Sequence, residues 1–311
     1  MGQKSNSKIL RLGINDNDWE SKYLDKTSEE SSLLVYQDIE IRNYIYRFLN
    51  LHGLLLYKCN IIRTDTSLKI FISYFTLLKS ISKITNINNK LKIDFDTNEN
   101  LLPISSNNHN NSFRDVNLLI KKYLWSRKKF SKKKTYLSKI FIFKMFSSIT
   151  KFLNNNYRIE IIFQNLNKSL STRLNNFDSL EFRKIVIQLR PYFKASFFKE
   201  FINILLIISK NKSSSVILTR FIAYELSNMK KHNYFLTFLK RSFLILIKSK
   251  LCNIKGIKLK IKGRFNGAPR SKTRVLQIGK IPLQTLSASI SYNCSTSYTP
   301  NGTFGVQIWI F

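Results

Sequence analysis

The sequence predicts an α+β chain that ends in a mostly antiparallel sheet, on three observations. Residues 257–262 read Ile-Lys-Leu-Lys-Ile-Lys, an apolar face and a row of ammonium groups at the two-residue period of a half-buried strand. Gly263, Gly267, Pro269, Gly279, Pro282, Pro300, Gly302 and Gly305 then punctuate short strands with turns. Upstream, apolar residues recur at helical spacing in 33–57 and again in 216–252.

Taken in order, residues 1–32 form an N-terminal extension. Leu33, Leu34, Ile41, Ile45, Phe48 and Leu49 predict a helix over 33–57, with Gly53 near its C-terminal end. Strands follow at 58–64 and 68–75, joined by the turn Asp65-Thr66-Ser67, so that 33–96 make the first part of a domain. Residues 97–215 are expected to be a linker and a basic insertion. The Asn- and Ser-rich stretch 86–117 reads as a surface loop. In 121–134 eight of fourteen residues are basic, with Tyr123, Trp125 and Phe130 interleaved. That pattern suits phosphate neutralisation with bases stacked on aromatics, whereas the plain alternative is a solvated helix with its aromatics on a core. Within 138–215 the sequence suggests strands at 157–163 and 184–189.

Val216, Ile217, Phe221 and Leu226, then Phe235, Leu239, Phe243 and Leu246, predict a helical segment over 216–252 that completes the first domain and leads into the last, 253–311. That domain closes on a strand with Val306, Ile308 and Ile310 on one face and Gln307, Trp309 and Phe311 on the other. Apolar runs at 197–208 and 235–247 are interrupted by charge and too short to cross a membrane, so they read as amphipathic or buried helices.

Charge narrows the function. The formal net charge is +34 over 311 residues, with a pI near 10.2. Residues 1–40 hold five basic and eight acidic side chains, while the other 271 hold 47 basic and 10 acidic, and Glu225 is the last carboxylate. Solvation works equally well with mixed signs, so this asymmetry implies a polyanionic partner. Cys59, Cys252 and Cys294 lie far apart with no pairing or metal spacing, which predicts inert thiols in a reducing compartment. His52, His109 and His232 are equally scattered, so no metal or other cofactor is expected. The chain is rich in Asn, Lys, Ile, Phe, Leu and Ser and poor in Gly, Pro and Ala. These favoured residues have A/T-rich codons, which suggests an organellar genome, and neither presequence nor signal peptide precedes the opening.

Several residues carry a resemblance. At the C-terminal end these are Lys255-Gly256-Ile257, Gly263-Arg264, Gly267-Ala268, Gly279, Pro282-Leu283, Thr285-Leu286, Ala288, Ile290, Tyr292, Gly302, Gly305-Val306 and Trp309-Ile310-Phe311. At the other end they are Met1-Gly2-Gln3-Lys4, Asn6, Leu10 to Ile14, Trp19 to Tyr23, Tyr36, Asp38, Ile41-Arg42 and Tyr44-Ile45. The chain resembles the family of the third protein of the small ribosomal subunit, ribosomal protein S-three, over about 1–75 and 216–311. Ser7 and Ile9 stand where that family usually has proline and glycine.

The resemblance implies an N-terminal KH-like domain of type II and a C-terminal α+β ribosomal domain. KH domains grip single-stranded RNA through a Gly-x-x-Gly loop, whose glycines let backbone approach phosphate. This chain has no glycine from Leu54 to Lys255, so a KH-like scaffold without that loop is expected. The implied function is a structural constituent of the small subunit, in a mitochondrion first and a plastid second. It binds ribosomal RNA in the subunit head and lines the messenger RNA entrance, beside ribosomal proteins S-ten, S-fourteen and S-two. Candidate ribosomal RNA contacts are Lys4, Lys8, Arg11, Lys128, Lys129, Lys132, Lys133, Lys258, Lys260, Lys262, Arg264, Arg270, Lys272 and Arg274. Lys240 and Arg241 match a basic pair on the family's entrance helix, while an Arg-Arg pair upstream falls on Leu236-Thr237, so Lys230 and Lys231 are the expected substitutes.

Two other classes fit less well. A nuclease or maturase needs convergent carboxylates to hold metal ions, and the last 86 residues have none. A basic peripheral membrane protein needs a sustained amphipathic helix with aromatic anchors rather than a glycine-punctuated basic sheet. No nucleophile with a base and no Walker loop appears, so no catalysis is expected.

Overall fold

Helix α1, Ser28–Leu51, begins where its sequence supplies a cap: the Thr27 hydroxyl accepts from Glu30 N at 3.4 Å, and Glu30 reaches back to accept from Lys26 N at 3.1 Å. It ends at Gly53, whose φ of +70° is the left-handed conformation that closes helix C-termini. The structure, a computed structural model, describes residues 6–14, 19–77, 134–154, 157–169, 176–210, 214–249, 251, 252 and 254–311. The linker 86–117 and the basic run 121–133 lie outside them.

The first sheet has strand order β1-β2-β3-β4, from β1 (Ser21–Lys22), β2 (Leu54–Arg63), β3 (Ser67–Thr76) and β4 (Arg158–Asn165). Strands β2 and β3 are antiparallel, with parallel partners β1 and β4 on either side. One face packs under α1 and helix α2 (Lys134–Phe152). Ile41, Ile45 and Leu49 of α1 meet Met145 and Ile149 of α2 over Cys59, Ile61, Ile70 and Ile72. Residues 54–57, expected in the helix, are strand: once Gly53 turns the chain, Leu54 to Tyr57 are buried in the sheet. The charged tie across this layer is Arg63, whose Nε and Nη2 lie 2.8 and 2.7 Å from Asp38 Oδ1, both side chains 3% exposed. Ser21 Oγ donates to the other Asp38 oxygen at 2.7 Å.

Four helices follow: α3 (Asn176–Gln188), α4 (Phe198–Lys210), α5 (Ser215–Asn228) and α6 (Asn233–Lys248). The stretch 184–189, expected as a strand, continues α3, because Phe182, Ile185 and Leu189 share one helical face and are buried there. The apolar runs expected as buried helices are α4 and α6, meeting through Phe201 and Phe238 with ring centroids 4.9 Å apart. The second sheet is antiparallel throughout, in order β6-β5-β8-β7, from β5 (Gly256–Gly263), β6 (Lys272–Gly279), β7 (Ser291–Thr299) and β8 (Gly302–Ile310). Its inner face, Ile257, Leu259, Ile261, Phe304, Val306, Ile308 and Ile310, is buried in a core shared with α3 to α6.

The expected boundaries shift accordingly. The first sheet is completed from within the supposed insertion, by α2 and β4. The segment 216–252 instead belongs chiefly to the second sheet, although Leu55, Tyr57, Phe75 and Leu77 extend the same core into the first.

Arg63→Ala leaves the Asp38 carboxylate buried without its cation and is expected to cost about 3–5 kcal/mol. Chemical denaturation of the full chain measures this, and Asp38→Leu with Arg63→Met is expected to recover much of it.

Candidate nucleic-acid interface

With every second residue of β5 committed to the core, Lys258, Lys260 and Lys262 project from the outer face of the second sheet, the first two half-buried and the third exposed. Strand register defines their surroundings. Lys258 lies opposite Trp309 of β8 and Gln277 of β6, Lys260 opposite Gln307 and Val275, and Lys262 opposite Gly305 and Thr273. The Lys258 ammonium sits 5.7 Å from the centre of the Trp309 ring. On the far side Trp309 pairs with Tyr292 of β7, ring centroids 5.1 Å apart at 35°. Burial, then the neighbouring Cys294, pushes the Tyr292 phenol up, so it stays neutral. The outer face therefore joins a row of three ammonium groups to an aromatic platform. Electrostatics can hold phosphates along the row while a ring offers its π face to a base.

Two turns hold this sheet in place. Gly279, at φ +76°, lets β6 end against the Lys255 carbonyl, which a Cβ at that position would approach to 2.2 Å. Asn266 donates its backbone N–H to His232 Nδ1 at 3.3 Å, and the His232 N–H donates to Asn266 Oδ1 at 2.9 Å. This clasp ties the α5–α6 turn, with exposed Lys230 and Lys231, to the β5–β6 connection.

The predicted contacts do not all share the lysine face. Arg274 lies opposite Ile261 and Lys272 opposite Gly263, so both project from the other side of the sheet, with the Arg274 guanidinium 5.4 Å from the Phe265 ring centre. Arg264 is exposed and its Nε donates to the Ala268 carbonyl at 2.9 Å, while Arg270 is exposed in the turn before β6. Arg11 is a clear correction. It is 5% exposed and donates to the carbonyls of Ser7, Leu283 and Thr285 at 2.8–2.9 Å, so it ties the N-terminal segment to the last domain and is withdrawn from any phosphate. Lys8 is exposed, 3.7 Å from Glu20. Lys240 and Arg241 are exposed on α6, whereas Leu236 is buried. Lys4, Lys128, Lys129, Lys132 and Lys133 lie outside the described residues.

What the sequence reading missed is the Tyr292–Trp309 pair. Its signal was alternation in β7 combined with hairpin register, and register is set by the turn between Thr299 and Gly302. The thiols divide by exposure: burial pushes Cys59 up to about 12, whereas Cys294 is exposed on the lysine face.

Charge on this half of the molecule is one-sided. Beyond Glu181 the chain has two side-chain carboxylates, Glu200 and Glu225, and they are 2% and 1% exposed. Every exposed side-chain charge from Phe182 onward is therefore positive. Among the described residues no group of three or more His, Cys, Asp or Glu could hold a metal ion, and no helix is long and apolar enough to cross a membrane.

Arg11→Ala is expected to cost about 1.5–3 kcal/mol by leaving carbonyls without their charged donor. The salt dependence of RNA binding should stay unchanged, whereas a phosphate ligand would lower the slope by about one. Melting and salt titration of the same variant separate the two roles.

Residues 231–310 match the family described as ribosomal protein S3, C-terminal domain. The chain is 46% identical over 59 residues to the small ribosomal subunit protein uS3c of Cyanidium caldarium, covering 19% of this chain and 28% of that protein. It is 32% identical over 104 residues to uS3c of Emiliania huxleyi, covering 33% and 45%. Against uS3 of Neorickettsia sennetsu the identity is again 32% over 104 residues, covering 33% and 47%. The matched segment thus spans less than half the length of each of these relatives.

Proposed function

We propose, from the premise that residues 231–310 carry the C-terminal domain of the ribosomal protein S3 family, that this chain is a structural, non-catalytic constituent of a small ribosomal subunit that binds ribosomal RNA. The observation that supports this best is the outer face of the second sheet. Lys258, Lys260 and Lys262 stand in a row beside Trp309 and Tyr292, on a half of the molecule, from Phe182 onward, whose two side-chain carboxylates are buried. Charge and shape of this kind hold RNA without reading sequence.

The finer reading follows the resemblance. The chain sits in the subunit head beside ribosomal proteins S-ten, S-fourteen and S-two, and Lys240 and Arg241, with Lys230 and Lys231, line the messenger RNA entrance. The first layer, with order α1-β2-β3-α2-β4, is a KH-like scaffold that packs rather than grips RNA, since no glycine lies between Leu54 and Lys255. Lys8, Arg264 and Arg270 are secondary contacts, while Lys272 and Arg274 serve a contact on the opposite side of the sheet. The ribosome is organellar, which the abundance of residues with A/T-rich codons supports, with the mitochondrion first because the family's plastid members are shorter and more bacterial. Relatives named uS3c keep the plastid as the second choice.

Reversal of Lys258, Lys260 and Lys262 to Glu is expected to block incorporation into the small subunit, read by co-sedimentation in high magnesium. Their replacement by Gln should lower the slope of log affinity against log salt by about 2–3, one phosphate per lysine. Normal incorporation of the reversed variant, with an unchanged slope for the neutral one, would sink this reading. Lys240→Ala with Arg241→Ala should leave incorporation intact and slow translation only on messengers with a downstream hairpin; equal slowing on unstructured messengers would reduce the pair to general RNA contacts.

A further inference from the structure

A second aromatic and cationic surface lies away from the lysine face, where the segment after α3 meets the start of α6. Pro191 sits inside the 3₁₀ turn Arg190–Tyr192, and the turn is closed by Tyr192 N donating to Leu189 O and Phe193 N to Arg190 O, both at 3.0 Å. The backbone there is fixed rather than loose. It seats the Tyr192 ring against two rings of α6, with centroids 5.2 Å from Tyr234 and 5.0 Å from Phe238. Phe238 is fully buried, but Tyr234 is 50% exposed and Tyr192 half-buried, so two adjoining phenol rings remain at the surface.

Cations surround these rings. Arg190 and Lys194 flank Tyr192 at a distance of two residues on either side, and both are exposed. Lys230 and Lys231, also exposed, precede the His232 cap of the helix whose first turn carries Tyr234. Arg241 lies seven residues beyond Tyr234, two helical turns and about 10 Å along the same face. Glu181 is paired with Lys184 at 2.7 Å, and the carboxylates beyond it, Glu200 and Glu225, are 2% and 1% exposed, so no acidic side chain from Phe182 onward competes for the cations.

We infer that the Arg190–Lys194 segment and the first turns of α6 form one binding track for single-stranded RNA, with Tyr192 and Tyr234 as base-stacking rings and Arg190, Lys194, Lys230 and Lys231 as phosphate contacts. Charge alone would suit any polyanion. Exposed rings favour an unpaired strand, because a base in a duplex has no free face to stack. The inference rests on the reading of this chain as an RNA-binding ribosomal constituent, and it adds to that reading a segment expected to be only an insertion.

The test uses the full chain with two probes of equal length, an unstructured oligouridine and an RNA duplex. Arg190→Gln with Lys194→Gln changes exposed side chains only. It is expected to weaken oligouridine binding about 10-fold and to lower the salt slope by about 1.4, two single-strand phosphate contacts. Tyr234→Leu keeps an apolar surface against Tyr192 and should weaken the same probe at least 5-fold with the slope unchanged, since stacking is not screened by salt. The Lys258, Lys260 and Lys262 replacements should weaken both probes, whereas neither of the two new variants should weaken the duplex. Unchanged oligouridine affinity in both variants would overturn the track, while a surviving effect of the lysine replacements would leave the ribosomal reading standing. Loss of both effects would remove both. If Arg190→Gln with Lys194→Gln weakened capture of small-subunit proteins but not of oligouridine, the surface would be a protein contact and the inference wrong.

Discussion

Helix α5 is the element on which the arrangement of the other parts depends, because it packs between the two sheets. Toward the second sheet it presents hydroxyls: Ser215 Oγ meets Ser291 Oγ at 2.6 Å, Ser295 Oγ donates to the Thr219 carbonyl at 3.0 Å, and the Asn293 amide donates to Thr219 Oγ1. Toward the first sheet it presents Arg220, whose guanidinium donates to the Leu56 carbonyl and lies 5.0 Å from the Tyr46 ring centre. The pairing of β2 with β3 shifts register between Leu56 and Lys58, so that contact is made at a bulge. Burial lowers the Arg220 pKa, partly offset by Tyr46, yet a guanidinium stays charged at neutral pH. A half-buried cation on a carbonyl and a ring is therefore the polar tie between the two halves that α5 supplies.

Fixing the inner face of the second sheet on α5 and α6 also decides which way the lysines point. Neighbours in the row are two residues apart along a strand, about 6.8 Å, where two unit charges in water repel by roughly 0.6 kcal/mol before salt screening. That is small against the burial of Ile257, Leu259 and Ile261 on the opposite face, each worth about 1.5–3 kcal/mol. Repulsion does not threaten the fold. The sign of the surface is informative for a different reason: nothing in the packing calls for an unbroken positive exterior, and mixed charge would serve solubility as well. Placing Glu200 and Glu225 inside leaves every exposed side-chain charge from Phe182 onward positive.

Where the sequence was legible, the period of the residues matched the contacts they make. The alternation of 257–262 and of 306–311 gave strands with the correct faces, because a strand buried on one side needs every second residue apolar. Capping residues and Gly53 marked α1, but its C-terminal boundary slipped, since Leu54 to Tyr57 are apolar throughout and a doubly buried strand has no period. Ile185, Val186 and Ile187 favour a strand by type, and the tertiary contacts of Phe182, Ile185 and Leu189 overrode that preference. The candidate site was half legible. Sequence neighbours of the lysine row were assigned to its face, yet Arg274 and Lys272 fall on the other side once β6 pairs with β5 in its observed register. Arg11 could not be read at all, for its three acceptors include carbonyls more than 270 residues away.

Resemblance and packing also divide the chain differently. The match to the S3 C-terminal domain begins at residue 231, just before α6. The sheet of that domain is nevertheless covered by side chains from outside the match: Phe198 and Phe201 of α4 and Phe221 of α5 are fully buried in the same core. Truncating one such phenylalanine typically costs about 3–5 kcal/mol, a large part of the 5–15 kcal/mol by which a domain is stable. Helices α3 to α5 therefore act as part of the wall against which the matched domain folds. The same logic holds at the other end, where β4 pairs with β3 along eight residues and α2 covers the sheet beside α1. The segment expected as an insertion thus supplies buried elements to both sheets, α2 and β4 to the first and α3 and α4 to the second.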